Sequence, residues 1–399
     1  MNIKGRAGLY IHWPFCLSKC PYCDFNVHVQ ARPDHVRWEA AYLKSLESYA
    51  QMLEGRVISS VFFGGGTPSL MNPETVQKIL SKVRALWPLV NDLEITMEAN
   101  PTSVEAEKLK AFKEAGVTRV SLGVQALNDT DLKFLGRKHS AADAIGAIEI
   151  AADNFEHFSF DLIYARPGQT LEGWREELKR AAALATGGHL SLYQLTIERN
   201  TPFYYDAAQG LFNLPDDGQG AAFYHATQEV LDTANLPAYE VSNHAAPGRE
   251  SRHNLTYWHY GDYIGIGPGA HGRLSVEGQK VATREHYAPQ KWLEMVEREG
   301  RGVHPFQPLS HEERFCEALM MGLRLYEGVA LEHLQAEGGG RDWREYIDAG
   351  RIETARGEGW LDIRDGRIVL SREGMLRLNA LIPYILKDPS RPAQKERAV

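Results

Sequence analysis

Short runs rich in β-branched and aromatic residues alternate along this chain with longer stretches whose apolar positions recur at helical spacing. The runs are Gly8–Trp13, Val57–Gly65, Leu93–Ala99, Arg119–Gln125, Phe158–Tyr164 and Leu190–Glu198. Helical spacing covers His35–Leu53, Pro73–Leu86, Ser103–Ala115, Ala141–Asn154 and Leu171–Leu184. End signals agree with these limits. Asn72 precedes Pro73 and Glu74, an N-cap followed by proline at the first helical position, and Gly116 follows Ala115 as a stop.

Strands alternating with helices predict βα units around a parallel sheet. Polar or glycine residues where the strands end suggest an α/β fold built as a partial (β/α)6 TIM-like barrel, with its chemistry at the C-terminal strand ends. Periodicity alone does not separate this from a doubly wound open sheet.

The rhythm changes near residue 300. The barrel is expected over 1–300, a linker over 301–309 and a small helical, winged-helix-like domain over 310–387. In that domain "HEERFCEALMMGLRLYEG", Leu331–Glu337, Trp343–Ala349 and Arg372–Leu386 read as helices. "WLDIRDGRIVLS" reads as a hairpin turning at Asp365-Gly366. The polar stretch 388–399 reads as a disordered tail.

Composition narrows the function classes. The chain has 399 residues and a formal charge of -8, which argues against a general phosphate-binding surface. Residues 301–399 carry 15 Lys+Arg against 16 Asp+Glu, so the winged-helix-like module lacks the charge to drive DNA binding. No apolar run matches a signal peptide or a membrane span, and a cytoplasmic location is expected, with at most peripheral membrane contact.

Three of the four cysteines, Cys16, Cys20 and Cys23, share one loop after the first strand. In a reducing compartment such clustering points to metal or redox chemistry. Structural zinc needs a fourth ligand, for which His12, Asp24 and His28 are the candidates. A thioredoxin-like site needs two cysteines rather than three, and packing as small hydrophobes does not account for the clustering. A [4Fe–4S] cluster held by three thiolates leaves one iron open.

Other polar residues gather at predicted strand ends: Glu98 in "MEANP", Gln125 in "LGVQA" and Asp161 in "SFDLIY". Buried there, each needs a partner, which a satisfied core residue and a ligand contact provide equally well. Arg137 can meet a carboxylate bidentately or lie at the surface. In "FFGGGTP" the glycines allow close backbone approach to a ligand or form a tight βα turn. Tyr10 and His12 share one strand face. "IGIGPGAH" does not open the first βα unit, and Pro268 spoils a helix start, so it reads as a glycine-rich turn at the barrel mouth.

Cys-x3-Cys-x2-Cys with Tyr22 before the last cysteine resembles the radical S-adenosylmethionine (SAM) family. The resemblance implies a [4Fe–4S] cluster whose open iron chelates SAM, and SAM contacts from Tyr10, Tyr22, Gly65, Gly66 and Thr67. It extends to Glu98, Gln125, Arg137 and Asp161 around the same ligand. The order of the cluster loop, GGGTP, MEANP, LGVQ, FDLIY and the C-terminal module is similar to the oxygen-independent coproporphyrinogen III oxidase group.

Within that group the oxidases add a fourth cysteine, where this chain has Phe25, and a longer arm before the cluster, where only fifteen residues precede Cys16. "HNLTYW" from His253 to Trp258 resembles the signature of the HemW haem-chaperone branch. His253 is therefore the haem candidate, since histidine ligates haem iron and the flanking aromatics can pack on a macrocycle. The alternative is a core histidine beside two structural aromatics. The resemblance implies haem delivery to apo-haemoproteins such as respiratory enzymes. It also implies a flavodoxin-like or reduced-nicotinamide electron donor and a cluster-dependent homodimer. The rival expectation is oxidative decarboxylation of coproporphyrinogen III.

Overall fold

The computed structural model describes residues 5–387, so the stretch 388–399 lies outside the described residues. Its main element is a mixed sheet of eleven strands. In chain order these are β1 (Arg6–Trp13), β2 (Val57–Gly65), β3 (Leu89–Ala99), β4 (Arg119–Gln125), β5 (His157–Tyr164), β6 (His189–Gln194), β7 (Asn243–Ala245), β8 (Asp262–Ile266), β9 (His271–Val276), β10 (Gln279–Arg284) and β11 (Gln307–Pro308). Across the sheet the order is β11-β10-β9-β8-β1-β2-β3-β4-β5-β6-β7.

The strands from β8 through β6 in that order are all parallel, while β7, β9, β10 and β11 pair antiparallel. All six strands expected from the sequence lie side by side. The sheet keeps two edges, at β7 and β11, and forms a partial barrel.

Alternation of side chains explains how one sheet carries both a core and a site. Ile95 and Met97, Val120, Leu122 and Val124, and Phe158, Phe160 and Leu162 join the main hydrophobic core. It also holds Trp38, Tyr42, Leu46 and Tyr49 of the helix His35–Met52, Ile79 and Leu80 of Pro73–Leu86, and Trp174 and Leu178 of Leu171–Leu184. The opposite face is polar, and strand register lines it up. Gly8 stands beside Ser60, Ser60 beside Glu94, Glu98 beside Ser121, Ser121 beside Ser159, and Asp161 beside Ser191.

Several boundaries differ from the sequence reading. The Ser103–Ala115 stretch breaks into Ser103–Ala106 and Leu109–Ala115. The break follows Glu105, whose buried carboxylate accepts from Asn100 N at 3.0 Å and from the Ser69 hydroxyl. Strand β6 stops at Gln194 because its neighbour β5 ends at Tyr164, which pairs with it. Asn72 occupies its N-cap position but makes no side-chain capping bond, while Gly116 does adopt the left-handed stop at φ 109°.

A second core fills the C-terminal part, from Phe315 to Leu386. Its helix His311–Gly322 starts at a capping box formed by Ser310 and Glu313. The hairpin Leu361–Arg364 and Arg367–Leu370 turns at Asp365 (φ 52°) and Gly366 (φ 71°), as its sequence predicts. The Trp343 stretch is instead a 3-10 turn, Trp343–Glu345, followed by the helix Ala349–Gly357 capped by Asp348. The last helix is split at Arg377 into Arg372–Leu376 and Leu378–Ile385.

The stretch 301–309 supplies edge strand β11 and a bridge from Val303 to Glu285. Across the boundary, Glu317 accepts from Arg273 at 2.8 and 2.9 Å and from the Tyr260 hydroxyl at 2.7 Å. Among the described residues no helix is long and apolar enough to cross a membrane.

Candidate cofactor site

Strand β1 delivers the chain to the mouth of the sheet, where Phe15 and Cys16 pair in parallel with His28 and Val29. This closes the base of the loop that holds the cysteines. Within it Cys23 N donates to Cys20 O at 3.2 Å, a turn that draws these two residues together. The loop is tied down from far along the chain. Asn26 Nδ2 donates to Pro268 O at 3.0 Å and to Tyr287 O at 2.8 Å. Pro268 belongs to the glycine-rich turn between β8 and β9, so that turn buttresses the cysteine loop.

The end of β2 passes directly beneath. Gly66 N donates to Trp13 O at 2.7 Å and Thr67 N to Phe15 O at 2.9 Å. A Cβ at position 66 would stand 2.6 Å from Phe15 O, so only glycine allows this approach. Gly65, at φ 109°, turns its N–H toward Glu98 Oε2 at 3.1 Å. Thr67 Oγ1 accepts from Asn100 Nδ2 at 3.1 Å and donates to Cys16 Sγ at 3.4 Å.

Arg137 approaches from the other side. Its guanidinium donates to Cys20 Sγ at 3.3 Å, Asn100 Oδ1 at 2.6 Å and Gly123 O at 2.8 Å. Its Nε is buried with no hydrogen-bond partner among the described residues. These elements line one open cleft at the mouth of the sheet. Cys16, Cys20, Cys23, Tyr22, Gly65, Gly66, Thr67, Glu98, Gln125, Arg137 and Asp161 all line it. Gln125 does so from a left-handed backbone at φ 73°.

The floor of the cleft carries two carboxyls, Glu98 and Asp161. Burial, reinforced by the charge of Asp161, pushes the Glu98 carboxyl up to about 8. Burial also lifts Asp161 to about 6, against hydrogen bonds from Ser191 and Ser121. Burial raises the Cys16 thiol, opposed by the Thr67 hydrogen bond, and pushes Cys23 to about 11. Among the described residues no three His, Cys, Asp or Glu side chains converge on one ion-sized point. A closed zinc site needs such convergence, whereas thiolates on a cluster each take a separate iron.

Two of the expected residues lie outside the cleft. Tyr10 sits deeper on the same sheet face, its hydroxyl 3.0 Å from His12 Nδ1 and its ring 6.1 Å from Phe62. His12 in turn reaches Asn26 O at 3.0 Å through Nε2. His253, in the helix Arg252–Trp258, is 1% exposed and lies under the sheet floor beside Gly8 and Ser60. Its Nδ1 is 2.8 Å from Ser60 Oγ and its Nε2 2.7 Å from the Tyr257 hydroxyl, so both ring nitrogens are engaged. Its ring stacks on Phe62 at 5.0 Å, and Trp258 lies under Arg324 at 4.7 Å.

Sequence reasoning missed Asn26, Asn100 and Glu105. Asn100 stands two positions after Glu98 in the same short motif, and that proximity was the available signal. Asn26 carries no such signal, because the two carbonyls that anchor its side-chain amide lie more than 240 positions away.

Comparison with known proteins agrees with this geometry. Residues 10–181 match the model of the Radical SAM superfamily, and residues 309–377 that of the HemN C-terminal domain. The chain is 36% identical over 383 residues to "Heme chaperone HemW" of Escherichia coli, covering 95% of this chain and 98% of that protein. It is 38% identical over 387 residues to "Radical S-adenosyl methionine domain-containing protein 1, mitochondrial" of Bos taurus, covering 96% and 87%. Among solved structures, that of coproporphyrinogen III oxidase (HemN) from Escherichia coli superposes with a TM-score of 0.78 at 20% identity, covering 94% of this chain and 89% of that one. With 36% identity to that haem chaperone along nearly the whole of both chains, the chain is a member of the radical SAM superfamily, in the group that contains HemN and HemW.

Proposed function

We propose that the chain is a haem chaperone that binds a [4Fe–4S] cluster, SAM and haem and passes haem to apo-haemoproteins such as respiratory enzymes. The observation that carries this reading is the match to the Escherichia coli haem chaperone along 98% of its length. Phe25 in the cluster loop supports it over porphyrinogen decarboxylation.

The cleft residues fit the cofactors. Cys16, Cys20 and Cys23 are the thiolate donors. Thr67 and Arg137 already donate to two of the three sulfurs. Glu98 and Asp161 form no ion pair among the described residues, and a positively charged group of SAM would relieve both. The unpartnered Nε of Arg137 suits its carboxylate. When bound, cluster and SAM together supply one-electron cleavage chemistry. Glu98 would orient the ligand's amino group, while Gly65 and Gly66 let it lie against the backbone.

An electron donor, a cluster-dependent homodimer and peripheral membrane contact complete the proposal. One sample tests it. Anaerobically reconstituted protein is titrated with hemin, mixed with an apo-haemoprotein, and assayed with coproporphyrinogen III, SAM and a reductant. We expect hemin binding and transfer without turnover. Formation of protoporphyrinogen IX would overturn the reading.

A further inference from the structure

Beside the cysteine loop lies a face that the cleft does not use. The antiparallel bridge between Glu285 and Val303 is flanked by His286 N donating to Gly302 O at 2.8 Å and His304 N donating to Arg284 O at 2.9 Å. Glu285 points inward, where its carboxylate accepts from the Tyr49 hydroxyl at 2.6 Å and from Trp292 Nε1 at 2.7 Å. Side chains alternate, so Arg284, His286 and His304 all face outward. His286 and His304 are diagonal neighbours across the bridge, with ring centroids 3.8 Å apart. Neither ring has a hydrogen bond among those found for the described residues, in contrast to His253, whose two nitrogens are both taken.

The surroundings are apolar and positive. Tyr287 is 70% exposed and follows His286 directly. Its carbonyl accepts from Asn26 Nδ2 at 2.8 Å, which ties this segment to the cysteine loop. The charges that act most on the two histidines, apart from each other, are those of Arg284 and Lys291. In a chain of net charge -8, this is a local basic patch. Burial and these cations lower both imidazoles' proton affinity and favour the neutral, metal-ligating form.

A flat apolar ligand with two carboxylates and a nitrogen-seeking metal matches each of these features. We propose that this face is where the chain first takes up haem. One imidazole of the His286–His304 pair binds the iron, Tyr287 packs on the macrocycle, and Arg284 and Lys291 pair with the propionates. The proposal rests on the haem-binding reading above and places capture outside the His253 helix, where the sequence led us to expect it.

The test is hemin titration of the full chain, followed by the Soret band, for wild type, the His286→Ala/His304→Ala double variant and His253→Ala. Loss of an iron ligand should cost at least the roughly 10- to 100-fold in affinity that loss of an outer-shell partner does. We expect that loss in the double variant, with an altered Soret band, and near-wild-type capture in His253→Ala. Metal-free protoporphyrin should bind wild type and double variant alike. Equal hemin affinity and spectrum in wild type and double variant would overturn the proposal, as would an equal loss of metal-free porphyrin. If wild type itself bound no hemin, the haem reading would fall, and this site with it.

Discussion

Arg137 donates to the sulfur of Cys20 across 3.3 Å, although 117 positions separate them in the chain. The same guanidinium holds Asn100 and the Gly123 carbonyl, so the cluster loop, β3 and β4 meet at one side chain. Arg137→Met should lower iron affinity roughly tenfold, as loss of outer-shell partners does. It should also destabilise the apo chain by about 1–3 kcal/mol, through the partners left unpaired. Iron and sulfide content at limiting iron, with urea denaturation of the apo form, checks both. Arg137→Lys should recover the charge but not the forked contacts.

Cys20→Ser is the sharper test of the cluster. The residue is half-buried and the exchange is nearly isosteric, so the fold should survive. Bound iron should fall from about four per chain to near zero on reconstitution. Unchanged iron would remove the cluster assignment.

Glu98 and Asp161 predict a pH dependence of definite sign. Their folded pKa values, about 8 and about 6, lie above the ordinary carboxyl range. The folded apo chain therefore holds protons that the unfolded chain has released, and stability falls as pH rises. The loss from Asp161 runs from about pH 4 to 6 and that from Glu98 from about pH 4 to 8. Glu98→Gln should stabilise the apo chain at pH 8 and make little difference at pH 5, as thermal denaturation in matched buffers would show. The opposite order would mean that Glu98 already has a cationic partner.

His253→Ala should act first on the fold. It strands the Ser60 and Tyr257 hydroxyls and empties a ring-sized space against Phe62. A loss of about 3 kcal/mol is expected in urea, with reconstituted iron content unchanged. A variant as stable as wild type would show that the helix Arg252–Trp258 is not a strut.

Much of this architecture was legible because it is local. Val57–Gly65 and Arg119–Gln125 read directly as strands, and Pro73–Leu86 and Ala141–Asn154 as helices, since each satisfies its own periodicity and end signals. The cysteine loop, GGGTP, Glu98, Gln125, Arg137 and Asp161 converged because strand ends share one rim. What stayed hidden depends on pairing. Strand β8 lies beside β1 despite the long separation, and β9 to β11 extend that side. Nothing in the five residues Asp262–Ile266 declares a partner. The burial of His253 likewise follows from the register of Gly8 against Ser60, not from its own motif.

The anchoring of Asn26 by Pro268 and Tyr287 also imposes an order in time. Asn26 is made 242 and 261 positions before the two residues that anchor it. At ordinary synthesis speeds the interval is on the order of tens of seconds. Through that interval Thr67 and Arg137 can already meet the sulfurs of Cys16 and Cys20, but the loop lacks its anchor at Asn26. The loop is complete as the proposed cluster site only once the turn after β8 has been made and has met Asn26.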